Sequence, residues 1–272
     1  MDAPQACGAQ PGGKPLIHVP LLEITNLCVQ FGGLRALSQF NFALDPGDLV
    51  GLIGPNGAGK TTAFNVVTGV YRPSAGRVIL DGRSIGGRKP FQVNRLGVAR
   101  TFQNIRLFEG MSVFDNVLVS FNRSGMGGVA GTLVRTPGHE RIEHNRECEA
   151  LDLLAVFGLA GRADDLSSSL PYGQQRRLEI ARALATRPRI LLLDEPAAGM
   201  NPQEKVDLME MIRLLRDRFR VGIWLIEHDM KLVMSICQRI TVLDHGETIA
   251  VGTPQEIQDN PKVIEAYLGG PA

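Results

Sequence analysis

Paired cysteines, long apolar runs, aromatic residues and an excess of either charge are all scarce in this sequence of 272 residues. Its 29 basic and 28 acidic residues leave a formal net charge of +1, which supplies no basic field to concentrate a nucleic-acid backbone. No nucleic-acid partner is expected. Apolar runs such as Leu49 to Ile53, Ile190 to Leu193 and Ile223 to Ile226 fall far short of the roughly 20 residues that cross a bilayer, so any membrane role has to come through a partner. Cys7, Cys28, Cys148 and Cys237 lie far apart without a C-x-x-C pair, which argues against a zinc site or a disulfide framework and for reduced cytoplasmic thiols. The stretch from Met1 to Pro20 is rich in Gly, Pro, Ala and Gln and lacks the basic start and apolar centre of a signal peptide; it reads as a flexible tail. Internal repeats are absent.

A zinc-protease pattern is also missing, although His139-Glu-Arg-Ile-Glu-His144 comes close. Its histidines stand five apart, and at about 100° per residue their rings point some 140° away from each other, so this segment reads as a solvated helix.

What is present is an ordinary apolar fraction of 44%, enough for one large α/β domain. Strand patterns at Leu21–Gln30, Leu49–Ile53, Arg77–Leu80 and Val98–Phe102 accompany a helix over about Lys60–Val70. From about Asn104 to Arg187 the pattern turns helical, clearest over Val113–Phe121 and Glu147–Phe157, with a Gly-rich loop at Gly125–Gly131. Alternation then resumes with strand Ile190–Leu193, helix Gln203–Phe219, strand Val221–Ile226, helix Met230–Cys237 and strand Arg239–Asp244, which implies a mostly parallel sheet with helices on both faces. Thr253-Pro-Gln-Glu256 reads as a capping box and Asn260-Pro261 opens a last short helix. The resulting division is a tail over 1–20, a main domain over 21–252 with a helical insert at about 104–188, and a helical extension over 253–272.

Gly54-Pro55-Asn56-Gly57-Ala58-Gly59-Lys60-Thr61 fits G-x-x-x-x-G-K-[ST] at every position, between an apolar strand and a helix, with Thr62 following. The glycines let backbone N–H groups curl around phosphates, and the helix directs its positive end at them. Lys60 then neutralises the β- and γ-phosphates of ATP, and the Thr61 hydroxyl holds Mg²⁺. Kinases, GTPases and motor ATPases share this motif. Ile190-Leu-Leu-Leu-Asp-Glu195 ends an apolar strand in two acids at the edge where open α/β folds place ligands. Asp194 suits the metal position, and Glu195 suits a base that polarises the attacking water.

Three more runs complete a constellation: Thr101-Phe-Gln103, Leu170-Pro-Tyr-Gly-Gln-Gln-Arg-Arg177 and Ile226-Glu-His228-Asp229. Together they resemble the ATP-binding cassette (ABC) family. The resemblance implies an α/β P-loop fold with a mostly parallel core sheet, an antiparallel β subdomain and an inserted helical subdomain. It implies that Gln103 touches Mg²⁺ and water, that His228 contacts the γ-phosphate, and that Phe31 stacks on adenine. It also implies that Tyr172, Gly173 and Gln174, in the family's signature, face the ATP of an opposite cassette.

The likeness covers Leu21 to Leu268, and phrases such as Arg100-Thr-Phe-Gln103, Asp194-Glu-Pro-Ala-Ala-Gly199 and Asn260-Pro-Lys-Val-Ile-Glu-Ala-Tyr-Leu268 are similar to the larger ATPase subunit of branched-chain amino acid importers. That likeness implies a second, smaller cassette, two transmembrane permeases and an external solute-binding protein as partners, on the inner face of the cell membrane. Importers of urea or short amides use similar ATPases, so the solute stays open. Soluble cassettes acting on ribosomes or DNA form another class, but they usually carry two fused cassettes or a coiled-coil insert. A P-loop small-molecule kinase leaves Leu170–Arg177 and His228 unexplained. Two departures stand out: Pro171 replaces the signature serine, and Asn201 stands where an aspartate is common. Both bear on whether the two ATP sites are equal, and Pro171, which offers neither hydroxyl nor N–H, is the one that would weaken the site this chain caps.

Overall fold

A computed structural model describes residues 19–123 and 137–268 of the chain. Most of the expected tail, the Gly125–Gly131 loop and the end of the C-terminal extension lie outside them.

The described residues open with a hairpin, β1 (Leu22–Phe31) and β2 (Leu34–Leu44), turning at Gly32-Gly33. β3 (Leu49–Ile53) follows and runs through the glycine loop into α1 (Lys60–Val67). That helix stops three residues before the expected Val70, because Gly69 takes a left-handed φ of 77°. β4 (Ala75–Leu80) and β5 (Arg83–Ser84) return to the hairpin, giving an antiparallel sheet ordered β2-β1-β4-β5. Next come α2 (Pro90–Arg95) and β6 (Val98–Arg100), which ends before the expected Phe102.

Helices occupy the stretch before the next strand. Among the described residues they are α3 (Val113–Leu118), α4 (Pro137–Val156) and α5 (Tyr172–Ala185), with 3-10 turns over Val119–Arg123, Ala160–Arg162 and Ser167–Ser169. Arg141 to His144 lie exposed on α4, in keeping with a solvated helix there. The alternation then resumes with β7 (Ile190–Asp194), α6 (Pro202–Phe219), β8 (Gly222–Ile226), α7 (Met230–Ile236), β9 (Arg239–Asp244) and β10 (Glu247–Gly252). Thr253 accepts from the Glu256 N–H and Glu256 reaches back to Thr253, the expected capping box, ahead of α8 (Pro254–Gln258) and α9 (Pro261–Leu268). No helix among the described residues is long and apolar enough to cross a membrane.

The second sheet has the order β10-β9-β3-β8-β7-β6, parallel except for β10. Every residue of β3, β7 and β8 is buried, as a sheet covered on both faces requires. Alternate side chains serve different cores. Leu49, Ile53, Leu191, Leu193, Ile223 and Leu225 pack with α5, α6 and α7. Val50, Leu52, Ile190, Leu192, Trp224 and Ile226 pack with α1 and the antiparallel sheet. Gly51 is the exception that fits the close approach of α7: a Cβ there would lie 2.8 Å from a Val233 methyl.

Trp224 anchors the second core, fully buried with its ring centroid 4.0 Å from Phe42 and 4.9 Å from Phe64. Its indole N–H has no hydrogen-bond partner. Trp224→Ala is therefore expected to cost about 3 to 5 kcal/mol in urea unfolding. Trp224→Phe costs clearly less, because it removes the unpartnered N–H along with part of the ring. Equal losses would show that the packing argument is wrong.

Candidate active site

The loop from Gly54 to Gly59 joins the end of β3 to α1 under tight steric limits. Gly54 has φ 151°, and a Cβ on it would sit 2.0 Å from the Leu243 carbonyl oxygen. Gly59 has φ 102°, and its Cβ would meet the Ala36 carbonyl at 2.6 Å. Only glycine fits these positions. Gly59 caps α1 without a side chain, so the first-turn N–H groups are left to the space in front of the helix.

Lys60 opens that helix and is nearly buried. Its ammonium donates to the carbonyls of Gly54 at 2.7 Å and Pro55 at 2.9 Å. Burial lowers its pKa, and the nearby carboxylates of Glu195 and Asp194 oppose that shift. A cavity of about 530 Å³ runs from Phe31 past Asn56, Gly57 and Ala58 to Lys60, Thr61, Thr62 and Glu195. Phe31 is 45% exposed and stands edge-on to Tyr71.

Asp194 ends β7 beside this loop. Its Oδ2 accepts from Arg100 Nη2 at 2.7 Å, and the other Arg100 terminal nitrogen donates to Asn65 Oδ1 at 2.7 Å. Both charged side chains are less than a tenth exposed. Glu195, the next residue, takes φ 45° and donates its N–H to the Ile226 carbonyl. Its Oε2 accepts from Gln103 Nε2 at 2.9 Å and lies 3.5 Å from His228 Nδ1. Three residues expected in one site thus meet on one carboxylate oxygen.

Gln103 owes its position to α5. Arg176, wholly buried, donates to the Phe102 and Gln103 carbonyls at 2.6 Å each and pairs with Glu179 at 2.7 Å. Glu179 in turn accepts from the Phe102 and Arg106 N–H groups. Burial raises the Glu179 pKa, and Arg176 works against that rise. Arg100, Arg176, Glu179 and Glu227 support the site and were not singled out from the sequence, since their partners are distant in the chain or invisible without the fold.

Tyr172, Gly173 and Gln174 do not reach Glu195, although Arg176 Nη2, which holds the Gln103 carbonyl, also donates to the Tyr172 hydroxyl at 3.3 Å. They begin α5, where Pro171 is the N-cap residue and provides no side-chain cap. Gly173 and Gln174 line a separate cavity with Met200 and Glu204, away from Lys60. Asn201 caps α6 by accepting from the Glu204 N–H, a task an aspartate performs equally well. Among the described residues no cluster of three His, Cys, Asp or Glu is placed to hold a metal.

A sequence model of the ABC transporter family matches residues 37–198. The chain belongs to this family. A second model, described as branched-chain amino acid ATP-binding cassette transporter, matches residues 247–272 of the cassette. The cassette is 48% identical over 250 residues to the high-affinity branched-chain amino acid transport ATP-binding protein BraF of Pseudomonas aeruginosa, covering 92% of this chain and 98% of the relative. LivG of Escherichia coli, with the same description, matches at the same identity and coverage. The lipopolysaccharide export ATP-binding protein LptB of Escherichia coli is 34% identical over 91% of this chain and 97% of its own. Among solved structures, the ADP conformation of the ATP-binding cassette MJ1267 superposes with a TM-score of 0.80 at 29% identity, over 93% of this chain and all of that one. The cassette binds nucleotide and is an ATPase.

Arg100 gives the site a measurable signature. Arg100→Met keeps the apolar stem but strands the buried Asp194 carboxylate, an arrangement that typically costs about 3 to 5 kcal/mol. Urea unfolding at neutral pH is expected to register that loss, and the double variant with Asp194→Asn is expected to recover much of it. Additive losses would mean that the pair is not coupled.

Proposed function

We propose that the cassette hydrolyses Mg-ATP with Glu195 as the base and that the reaction drives uptake of branched-chain amino acids. The observation that carries the chemistry is the convergence of Gln103 and His228 on the Glu195 carboxylate beside the P-loop. A carboxylate so held takes a proton from water on its way to the γ-phosphate. Gln103 orients that water, and His228, more than half exposed, faces the phosphate. Lys60 exchanges its loop carbonyls for the β- and γ-phosphates, and Phe31 receives the adenine.

The oxygens of Thr61, Gln103 and Asp194 form a hard donor set that suits Mg²⁺. Bound there, the ion offsets charge on the phosphates. Arg100 holds Asp194 Oδ2 and leaves the other oxygen, free of that pair, as the one that would serve the ion.

That Gly173 and Gln174 line a different cavity from Lys60 supports the reading that they and Tyr172 serve the nucleotide of a second cassette. Two transmembrane permeases and an external solute-binding protein complete the transporter, with this chain peripheral on the cytoplasmic face. Residues 21–252 act as the ATPase unit, with 104–188 as its helical subdomain and 253–272 as an extension. Pro171, lacking a hydroxyl, makes the site that this chain caps the weaker of the pair.

The solute assignment is supported by the likeness to BraF and LivG over nine-tenths of the chain. The test is uptake by vesicles holding this chain, its partner cassette and their permeases. Leucine and valine are expected to enter on ATP, and urea is not. Entry of urea alone would overturn the solute. In the same vesicles Glu195→Gln is expected to retain ATP while losing about 10²- to 10⁴-fold in turnover. Loss of ATP affinity as severe as that of Lys60→Ala would remove Glu195 from the role of base.

A further inference from the structure

We propose that Glu227 is a positioning residue that locks the loop carrying Glu195 to the loop carrying His228. The inference rests on the reading of those two residues as the groups that act on water. Glu227 is 1% exposed and directly follows β8. Its Oε1 accepts the Ala197 N–H at 2.8 Å, and its Oε2 accepts the His228 N–H at 3.2 Å. Ala197 is two residues past Glu195, so one rigid carboxylate spans both loops.

The same Oε2 lies 3.8 Å from His228 Nδ1, the nitrogen that Glu195 approaches at 3.5 Å. The imidazole Nδ1 thus lies within 4 Å of two carboxylates. Glu195 is fixed from both sides: its own N–H is bonded to the Ile226 carbonyl, and the chain just beyond it is tied to Glu227. Such restraint suits a residue held at φ 45°, a backbone conformation that persists only where its surroundings over-determine it.

The choice of residue is costly. Burial pushes the Glu227 acid upward, against the pull of the two N–H donors and of His228. An apolar side chain would fill the place without that penalty. What a carboxylate adds is two acceptor oxygens in one plane. A carboxamide of the same size supplies one oxygen and turns an NH₂ against the second N–H.

Glu227→Gln in the assembled transporter tests this, with Glu195→Gln measured alongside. Turnover is expected to fall about a hundredfold, as a displacement of about 1 Å in a reacting group does, while ATP affinity stays within about twofold. Added to a chain that already carries Glu195→Gln and His228→Ala, the same change is expected to remove little more. Glu227→Asp keeps the charge but reaches only one loop, so it is expected to show the same split in milder form, and it carries the test should the glutamine variant not fold. Turnover within about twofold of the parent would overturn the proposal. So would a loss of ATP affinity in step with turnover, which would make Glu227 merely a prop for the fold. Normal turnover in Glu195→Gln would instead overturn the reading of the site on which the proposal stands.

Discussion

Charge buried at the carboxyl edge of a parallel sheet has to be partnered, and that requirement organises this cassette. Asp194 is held by Arg100, Glu179 by Arg176, and Glu227 by two backbone N–H groups. Lys60 is held by carbonyls of its own loop. Pairs of this kind return little net stability, because desolvation consumes most of the Coulombic gain. Their effect lies in connection. Arg100 joins β6 to β7 and α1, Arg176 joins α5 to the Gln103 loop, and Glu227 joins the ends of β7 and β8. A site made of loops acquires the rigidity of the elements behind it.

Strand register brings these groups to one level. Leu52 of β3 and Asp194 of β7 both pair with Ile226 of β8, so three chains leave the sheet at the same height. One continues into the glycine loop, one into Glu195, one into Glu227 and His228. The two hydrophobic cores fix that register, since a slip of one residue would send Trp224 to the helical face and Leu225 to the antiparallel sheet. Packing far from the nucleotide thus sets where the carboxylates emerge.

Much of this was legible in the chain. The glycine loop, the two acids and His228 each follow a short apolar strand, and such runs are hard to mistake when they alternate with helices. β2 escaped notice because its pattern is broken. Its partner β1 has Asn26 at φ 49° and β2 itself has Gln39 at φ 49°, and shifts of register between them spoil the period of two. Arg100 and Arg176 escaped for another reason: Asp194 lies 94 residues from Arg100, the Phe102 and Gln103 carbonyls lie 74 and 73 residues from Arg176, and no local spacing reports such contacts. Glu227 stood in plain view beside His228, but its value depends on Ala197, 30 residues upstream.

The central claim is that this chain carries a complete set of groups for chemistry and an incomplete enclosure for the nucleotide. Its Gly173 and Gln174 face a different cavity from its own Lys60. The most direct measurement is the ATP hydrolysis rate of the purified chain at concentrations where light scattering reports a monomer, before and after adding the partner cassette and permeases. The account predicts negligible hydrolysis by the monomer and a steep rise on assembly; full-speed hydrolysis by a proven monomer would contradict it.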